Sequence, residues 1–208
     1  MGAFDPAITY DRSTYIETDT GNKVSRKALI AGATNIVLGG KSIIQTSSIL
    51  RGDLRRSTAG QHVVISVGRY CLIGEGAVIR PPGKMYKGLV LTVRPSPIRL
   101  LIKQIRTFTF YPVRIADFTH IGPNCIIEAA QIGSCVEIGE GSIIGKFVVI
   151  KDLAVILPNT VLPEGTVVAS MSVWGGNPGR MVDTLPETYQ ETMEARCKSY
   201  YQRFRPAH

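Results

Sequence analysis

From residue 115 onward an aliphatic side chain returns almost every six positions: Ile115, Ile121, Ile127, Ile132, Ile138, Ile144, Ile150, Ile156, Leu162 and Val168. Only the step from Ile127 to Ile132 departs, at five. The same spacing runs through Val67, Ile73 and Ile79, and in shorter pieces through Ile30 and Ile36 and through Ile43 and Ile49. Glycine or another small or polar residue often follows, as in IGEGAV, IGPNCI, IGEGSI and IGKFVV. Four positions on there is often a small residue: Cys71, Ala77, Thr119, Cys125, Ser142, Ala154, Thr160, Thr166. A period of six suits neither an amphipathic helix nor an alternating strand. It predicts short strands joined by turns and stacked as an all-β solenoid, a parallel β-helix. Each layer there buries its aliphatic residue only against its neighbours.

On this pattern residues 1–27 read as a polar lead-in or cap, 28–183 as the β-helix, and 184–208 as a helix with its tail. The step from Ile49 to Val67 spans 18 residues, one whole turn of a three-sided coil, and LRRSTAGQHVVIS within it suggests an outward loop. RPPGKMYKG after Ile79 cannot continue a strand, because paired prolines remove donors and force an extended turn. Residues 89–107, LVLTVRPSPIRLLIKQIRT, form an atypical insertion that obeys no hexapeptide rule. They read either as a surface loop with a basic patch or as a translated short intron. WGGNPGRMVDTLPE closes the solenoid with turns. Thr184 and Glu187 form a capping-box pattern with Pro186 in the first turn, which predicts a helix from Thr184. Its apolar stripe is Tyr189, Met193, Cys197, Tyr200 and Phe204.

Composition narrows the classes. The 208 residues are 44% hydrophobic but 7% aromatic, which suits one elongated domain with a narrow interior. No window approaches about 18 consecutive apolar residues, so no membrane insertion is expected. The start MGAFDPAITYDRSTY lacks a secretory pattern, and Pro6 stands where N-myristoylation after Gly2 favours Ser or Thr. Cys71, Cys125, Cys135 and Cys197 include no CxxC pair and read as reduced thiols of a cytosolic protein. The net charge of +8 falls to +4 without the insertion, which carries Arg94, Arg99, Lys103 and Arg106. No aromatic–basic interleaving accompanies it, so nucleic acid is not an expected partner.

Candidate chemistry is sparse. His62, His120 and His208 are the histidines, and His120 at a turn reads as a solvated side chain rather than the general base of an acyltransferase. Gly139 to Gly145-Lys146 has one residue too many for a phosphate loop, and Phe147 replaces its Ser or Thr. Glu128 with Glu137 or Glu140 makes no convincing carboxylate pair. SSILRGD, AVIRPP and IGPNCIIEAAQIGS resemble the gamma-class carbonic anhydrase branch of the left-handed hexapeptide proteins, which binds zinc between subunits through three histidines. Carried over residue by residue, those places hold Arg80, Pro123 and Glu128. Pro has no ligand atom, Arg stays protonated, and a lone Glu cannot hold zinc. The RGD at Arg51–Asp53 persists from that pattern, where the resemblance implies a structural role.

Longer phrases are more specific. TYIETDTGNKVSRKALIAGATNIVLGGKSII followed by SILRGDL resembles the dynactin subunit 5 family, pointed-end hexapeptide-repeat subunits within the gamma-carbonic-anhydrase-like superfamily. So do VIRPPGKMYKG, FYPVRIADFTHIGPNCIIEAAQIGSCVEIG and LPETYQETMEARCKSYYQRF. The likeness covers nearly the whole chain, departing at HVVIS near 62–66 and at 89–107. It implies a cytoplasmic, cytoskeleton-associated left-handed β-helix with no catalytic residue, cofactor or metal. It further implies a heterodimer with the paralogous hexapeptide dynactin subunit. Beside it would lie the pointed-end actin-related protein and the larger zinc-binding dynactin subunit, and the role would be to help dynein–dynactin engage cargo adaptors, notably on early endosomes. Candidate partner-binding residues are Tyr15 and Glu17 in the segment Tyr15–Thr20, Arg80, Lys84, Tyr86 and Lys87 in the next loop, and Tyr189, Met193, Tyr200 and Phe204 on the helix. The competing roles for these segments are capping the first coil, turning a coil corner and packing along a face. The alternative class is a homotrimeric hexapeptide enzyme, carbonic-anhydrase-like or acyltransferase.

Overall fold

The computed structural model describes residues 8–54, 63–95 and 98–207, with side chains throughout except at 86–107. Short strands stack into three walls of a parallel β-helix, with an antiparallel strand at each end of the first wall, Tyr15–Glu17 and Gly179–Thr184. Wall one contains Tyr15–Glu17, Lys23–Ser25, Ile43–Ile44, Leu72–Ile73, His120–Ile121, Glu137–Ile138, Ala154–Ile156, Ser172–Gly176 and Gly179–Thr184. Wall two contains Leu29–Ala31, Ile49–Arg51, Val78–Ile79, Ile126–Ile127, Ile143–Ile144 and Val161–Leu162. Wall three contains Ile36–Gly40, Ile65–Arg69, Val113–Ile115, Gln131–Ile132, Val149–Ile150 and Val167–Val168. From Ile115 to Val168 every residue of the six-residue series is buried in one continuous core. Trp174, in register with Ile156, packs against the last interior layer.

Two sequence expectations shift. The first coil starts at Lys23–Ser25, with Val24 facing inward beside Ile44, so part of the predicted lead-in belongs to the solenoid. Ile43 and Ile49 also lie one position out of frame. Ile44 and Leu50 stand in register with Ile73 and Ile79 and fill the interior, whereas Ile43 and Ile49 point outward. Two adjacent apolar residues at each place leave period six unable to choose between them.

Corners explain the repeat. Three residues after each inward aliphatic, the backbone turns through the left-handed region at Cys135, Gly141, Phe147, Leu153, Asn159, Gly165 and Met171. The glycine that follows the aliphatic has a different reason. A Cβ on Gly139 would lie 2.4 Å from the backbone nitrogen of Pro158 in the next coil, so the rungs close only over a hydrogen atom.

Residues 83–110 leave the solenoid as two antiparallel strands, Gly83–Pro95 and Ile98–Phe110, paired from Gly83↔Phe110 to Pro95↔Ile98. Residues 89–95 and 98–107 of the atypical segment therefore lie in this pair of strands. The chain re-enters wall three at Val113, beside Ile65, with no rung lost.

The helix, α1, is Tyr189–Arg203 with Thr188 at its N-cap, not a helix from Thr184. Thr184 instead ends a strand paired with Ser172, and the Leu185 amide donates to the Met171 carbonyl, which holds the chain extended up to Pro186. After α1, Phe204–Pro206 pairs in parallel with Ile8–Tyr10, joining the two ends of the described chain.

Candidate functional site

The corner between walls three and one is unlike the others. Its left-handed positions are Lys41, Tyr70, Phe118, Cys135, Leu153 and Met171, whereas the corner between walls one and two has Ser47, Gly76, Asn124, Gly141 and Asn159. Side chains with a Cβ in this conformation cost about 1–2 kcal/mol each relative to the right-handed region, and Asn or Gly least. The apolar corner recovers that cost by packing. Tyr70, Phe118, Cys135 and Leu153 (φ +55° to +58°) form a ridge onto which α1 lays Tyr189, Met193 and Cys197. Tyr70 and Phe118 stack at 5.5 Å between centroids.

A second cluster fixes the far end of the helix. Ile43 and Leu72 on the outside of wall one meet Phe204, flanked by Tyr10, Tyr15, Tyr200 and Tyr201. The Lys23 ammonium donates to the carbonyls of Phe204 and Tyr201 and lies 4.3 Å from the Tyr201 ring centroid, so it serves as a cationic cap for the negative end of α1.

These contacts decide several candidate residues. Met193 and Phe204 are buried against the chain's own solenoid, and Tyr189, Tyr200 and Tyr15 are half-buried there. Their apolar surface is taken up internally, so the apolar stripe of α1 is a docking face for wall one rather than a free one. Gln45 donates to the Tyr200 hydroxyl at 3.0 Å. The Tyr189 hydroxyl is buried without a hydrogen-bond partner, and burial pushes its pKa up. Glu17 and Lys84 are exposed. The side chains of Tyr86 and Lys87 lie outside the described ones, as do His62 and His208.

His120 is not a solvated turn residue. It sits under α1 in a cavity of about 160 Å³, lined also by Lys41, Tyr70, Cys71, Glu137 and Arg196. Burial lowers its pKa from the ordinary 6.5, with Glu137 opposing and Arg196 reinforcing the shift. Glu137 is itself engaged by Arg196 of α1 at 2.5 Å. The thiols are poor nucleophiles: burial pushes Cys71 up to about 12 and Cys135 and Cys197 up to about 11.

The Arg80 side is different again. Arg80 Nε donates to Glu128 Oε1 at 2.7 Å across neighbouring rungs of wall two. Two of the three places that resemble zinc-histidine positions thus form an ion pair, and Pro123 at the third offers no donor. The residues do not fit zinc, and among the described residues no group of three His, Cys, Asp or Glu could hold a metal. Arg51–Asp53 is likewise structural. The guanidinium grips Asp53 through two bonds of 2.7 and 2.8 Å, and the Gly52 carbonyl accepts from Asn35.

A three-walled solenoid with a packed interior, inert thiols and an ion pair at the zinc-like position belongs to the hexapeptide-repeat β-helix proteins. The model of the family "Dynactin subunit 5" matches residues 6–103 and 90–208, and the chain belongs to that family. The two matches overlap inside the hairpin. Dynactin subunit 5 of Dictyostelium discoideum is 36% identical over 125 residues, 60% of this chain and 50% of that protein. Mitochondrial gamma carbonic anhydrase 2 of Arabidopsis thaliana is 22% identical over 191 residues, 92% of this chain and 57% of that protein. The chain thus spans about half the length of the curated relatives it matches.

Among solved structures, a hexapeptide transferase family protein from Anaplasma phagocytophilum superposes with a TM-score of 0.57 at 21% identity, covering 87% of this chain and 89% of the other. AntD, an N-acyltransferase from Bacillus cereus, gives 0.59 at 17% identity, covering 86% and 89%. These likenesses carry the fold, a left-handed β-helix, and not the chemistry. No described helix is long and apolar enough to cross a membrane.

Sequence reading missed the apolar corner. Its signal was present: Tyr70, Phe118, Cys135 and Leu153 occupy turn positions that, on the corner between walls one and two, hold Asn, Gly or Ser.

Proposed function

We propose that this chain is a non-enzymatic scaffold subunit of the dynactin pointed-end complex that helps dynein–dynactin engage cargo adaptors, such as those on early endosomes. It works in the cytoplasm on the cytoskeleton. It pairs with the paralogous hexapeptide subunit, beside the pointed-end actin-related protein and the larger zinc-binding dynactin subunit. The observation that carries this reading is the Arg80–Glu128 ion pair. It stands where the related enzyme family presents ligands, so the chain keeps the architecture of an enzyme without its donors. His120, roofed by α1, adds to this because a general base must reach its substrate.

The test is size-exclusion chromatography with light scattering and metal analysis on the full chain, with and without the paralogous subunit. A metal-free chain that shifts to a one-to-one complex is expected. A stable homotrimer with about one zinc per chain would overturn the proposal and favour a hexapeptide enzyme.

A further inference from the structure

The three walls differ on their outer faces. Wall one is roofed by α1, and wall three shows a mixed surface of Val37, Ser66, Arg114, Gln131, Val149 and Val167. Wall two is unlike both. Its outward positions, aligned rung by rung, are Leu29, Ile49, Val78, Ile126, Ile143 and Val161, every one aliphatic. Leu29 and Ile143 are 58% and 41% exposed, and Ile49, Val78, Ile126 and Val161 between and beyond them are half-buried. Folding alone does not ask for this, since the interior is filled by the alternate residues Ile30, Leu50, Ile79, Ile127, Ile144 and Leu162.

We infer that this outer face of wall two is the docking surface for the flat β-face of a second parallel β-helix, the paralogous hexapeptide chain of the preceding proposal, on which the inference rests. Geometry favours that occupant. The ladder is flat and repeats every ~4.8 Å. The turns of an α-helix repeat every ~5.4 Å, so over five rung steps they slip by about 3 Å, more than half a rung. Another β-helix shares the spacing and keeps its side chains between the ribs along the whole ladder.

Area and charge agree. Six rungs make a wall about 29 Å tall, and with a breadth of about 18 Å including its turns the face covers about 500 Å², short of the roughly 800 Å² per partner of a stable interface. The hairpin base adds to it. Met85 and Phe108, cross-strand neighbours beside the wall's edge, are 54% and 47% exposed. About half of an aromatic's ~150–250 Å² from each adds about 200 Å² and brings the face to about 700 Å², inside the roughly 600–1,000 Å² per partner of standard interfaces. Along the rim, Arg51 is paired with Asp53 and Arg80 with Glu128, so these two guanidinium groups are locally neutralised. A second copy of this chain would bring two net charges of +8 together, whereas a neutral or acidic β-helix meets no such repulsion.

The experiment titrates the full chain against the purified paralogous subunit, read by light scattering and calorimetry. Ile126→Lys with Ile143→Lys should weaken the one-to-one complex at least 100-fold. Leu29→Lys, at the end rung and well exposed, should weaken it by about 5–10-fold. Val167→Lys, 55% exposed on wall three, should bind as the unmodified chain does. Circular dichroism melts check that the lysine variants remain folded, and Leu29→Lys keeps the test decisive if the double variant does not. Binding within threefold by folded variants overturns the face, as does an equal loss in Val167→Lys or a homodimer of the chain broken by the same lysines. If the unmodified chain shows no complex, the partner reading itself has failed and this inference falls with it.

Discussion

Truncating Met193 to alanine tests whether α1 is a separately docked roof. The side chain is fully buried against Cys135 and Cys197, with Tyr70, Phe118, Leu153 and Tyr189 around it. This cluster is distinct from the interior column of the solenoid. Removing a buried Met side chain costs about 2–5 kcal/mol in lost transfer energy and residual cavity. Taking ~3 kcal/mol, the opening of α1 should become about 150-fold more populated. Hydrogen exchange followed by mass spectrometry reads this directly. Amides of Tyr189–Arg203 should lose protection by about two orders of magnitude, while those around Ile121, Ile138 and Ile156 keep theirs, because their partners are the neighbouring rungs. Unchanged protection in α1 would refute the packing account. Equal loss in the helix and the rungs would refute the independence of the roof.

Three further expectations follow from the same contacts. Because burial lowers the His120 pKa, the unfolded chain takes up a proton below about 6.5 that the folded chain refuses, so this group reduces stability as pH falls through that range. Urea midpoints at pH 7.5 and 5.5 should differ less in His120→Gln than in the unmodified chain, and an equal difference would remove His120 as the cause. Gly139→Ala should destabilise by more than about 2 kcal/mol, since its Cβ meets the backbone of Pro158, whereas Gly165→Ala has open space and only its φ of +70° to overcome, about 1 kcal/mol. Comparable thermal shifts for the two would show that rung spacing is not the constraint. All four cysteines are buried, so a thiol reagent at pH 8 should label the folded protein slowly and all four rapidly in guanidinium; rapid labelling of the folded protein would contradict the burial.

Much of the fold is legible in the chain because a solenoid's core contacts are local to neighbouring coils. From Ile115 to Val168 one period marks the interior without knowledge of any distant pairing. Legibility fails where two patterns overlap. Ile43-Ile44 and Ile49-Leu50 offer an apolar residue to both faces, and only the stacked rungs choose between them. Thr184-Leu185-Pro186-Glu187 satisfies a helix-start pattern, yet strand pairing with Ser172 delays α1 to Tyr189. His120 reads as a turn residue because the helix that roofs it lies some seventy residues away in sequence. Hexapeptide spacing contains no information on what covers the outside.

All the irregular lengths in this solenoid fall at one edge. Between walls two and three come the 3-10 turn Ala33–Asn35, the fifteen-residue step from Leu50 to Ile65, the paired strands Gly83–Pro95 and Ile98–Phe110, and the five-residue step from Ile127 to Ile132. The edge between walls one and two keeps a strict count, and the edge between three and one is clamped beneath α1. The molecule therefore has a seam. Chain can be added or removed there without changing which residues face which, because the layers before and after still meet as Ile65 with Val113 and Ile79 with Ile127. Such a seam admits insertions of different length and surface chemistry along a single line at little cost in loop closure, while the framework of rungs stays the same.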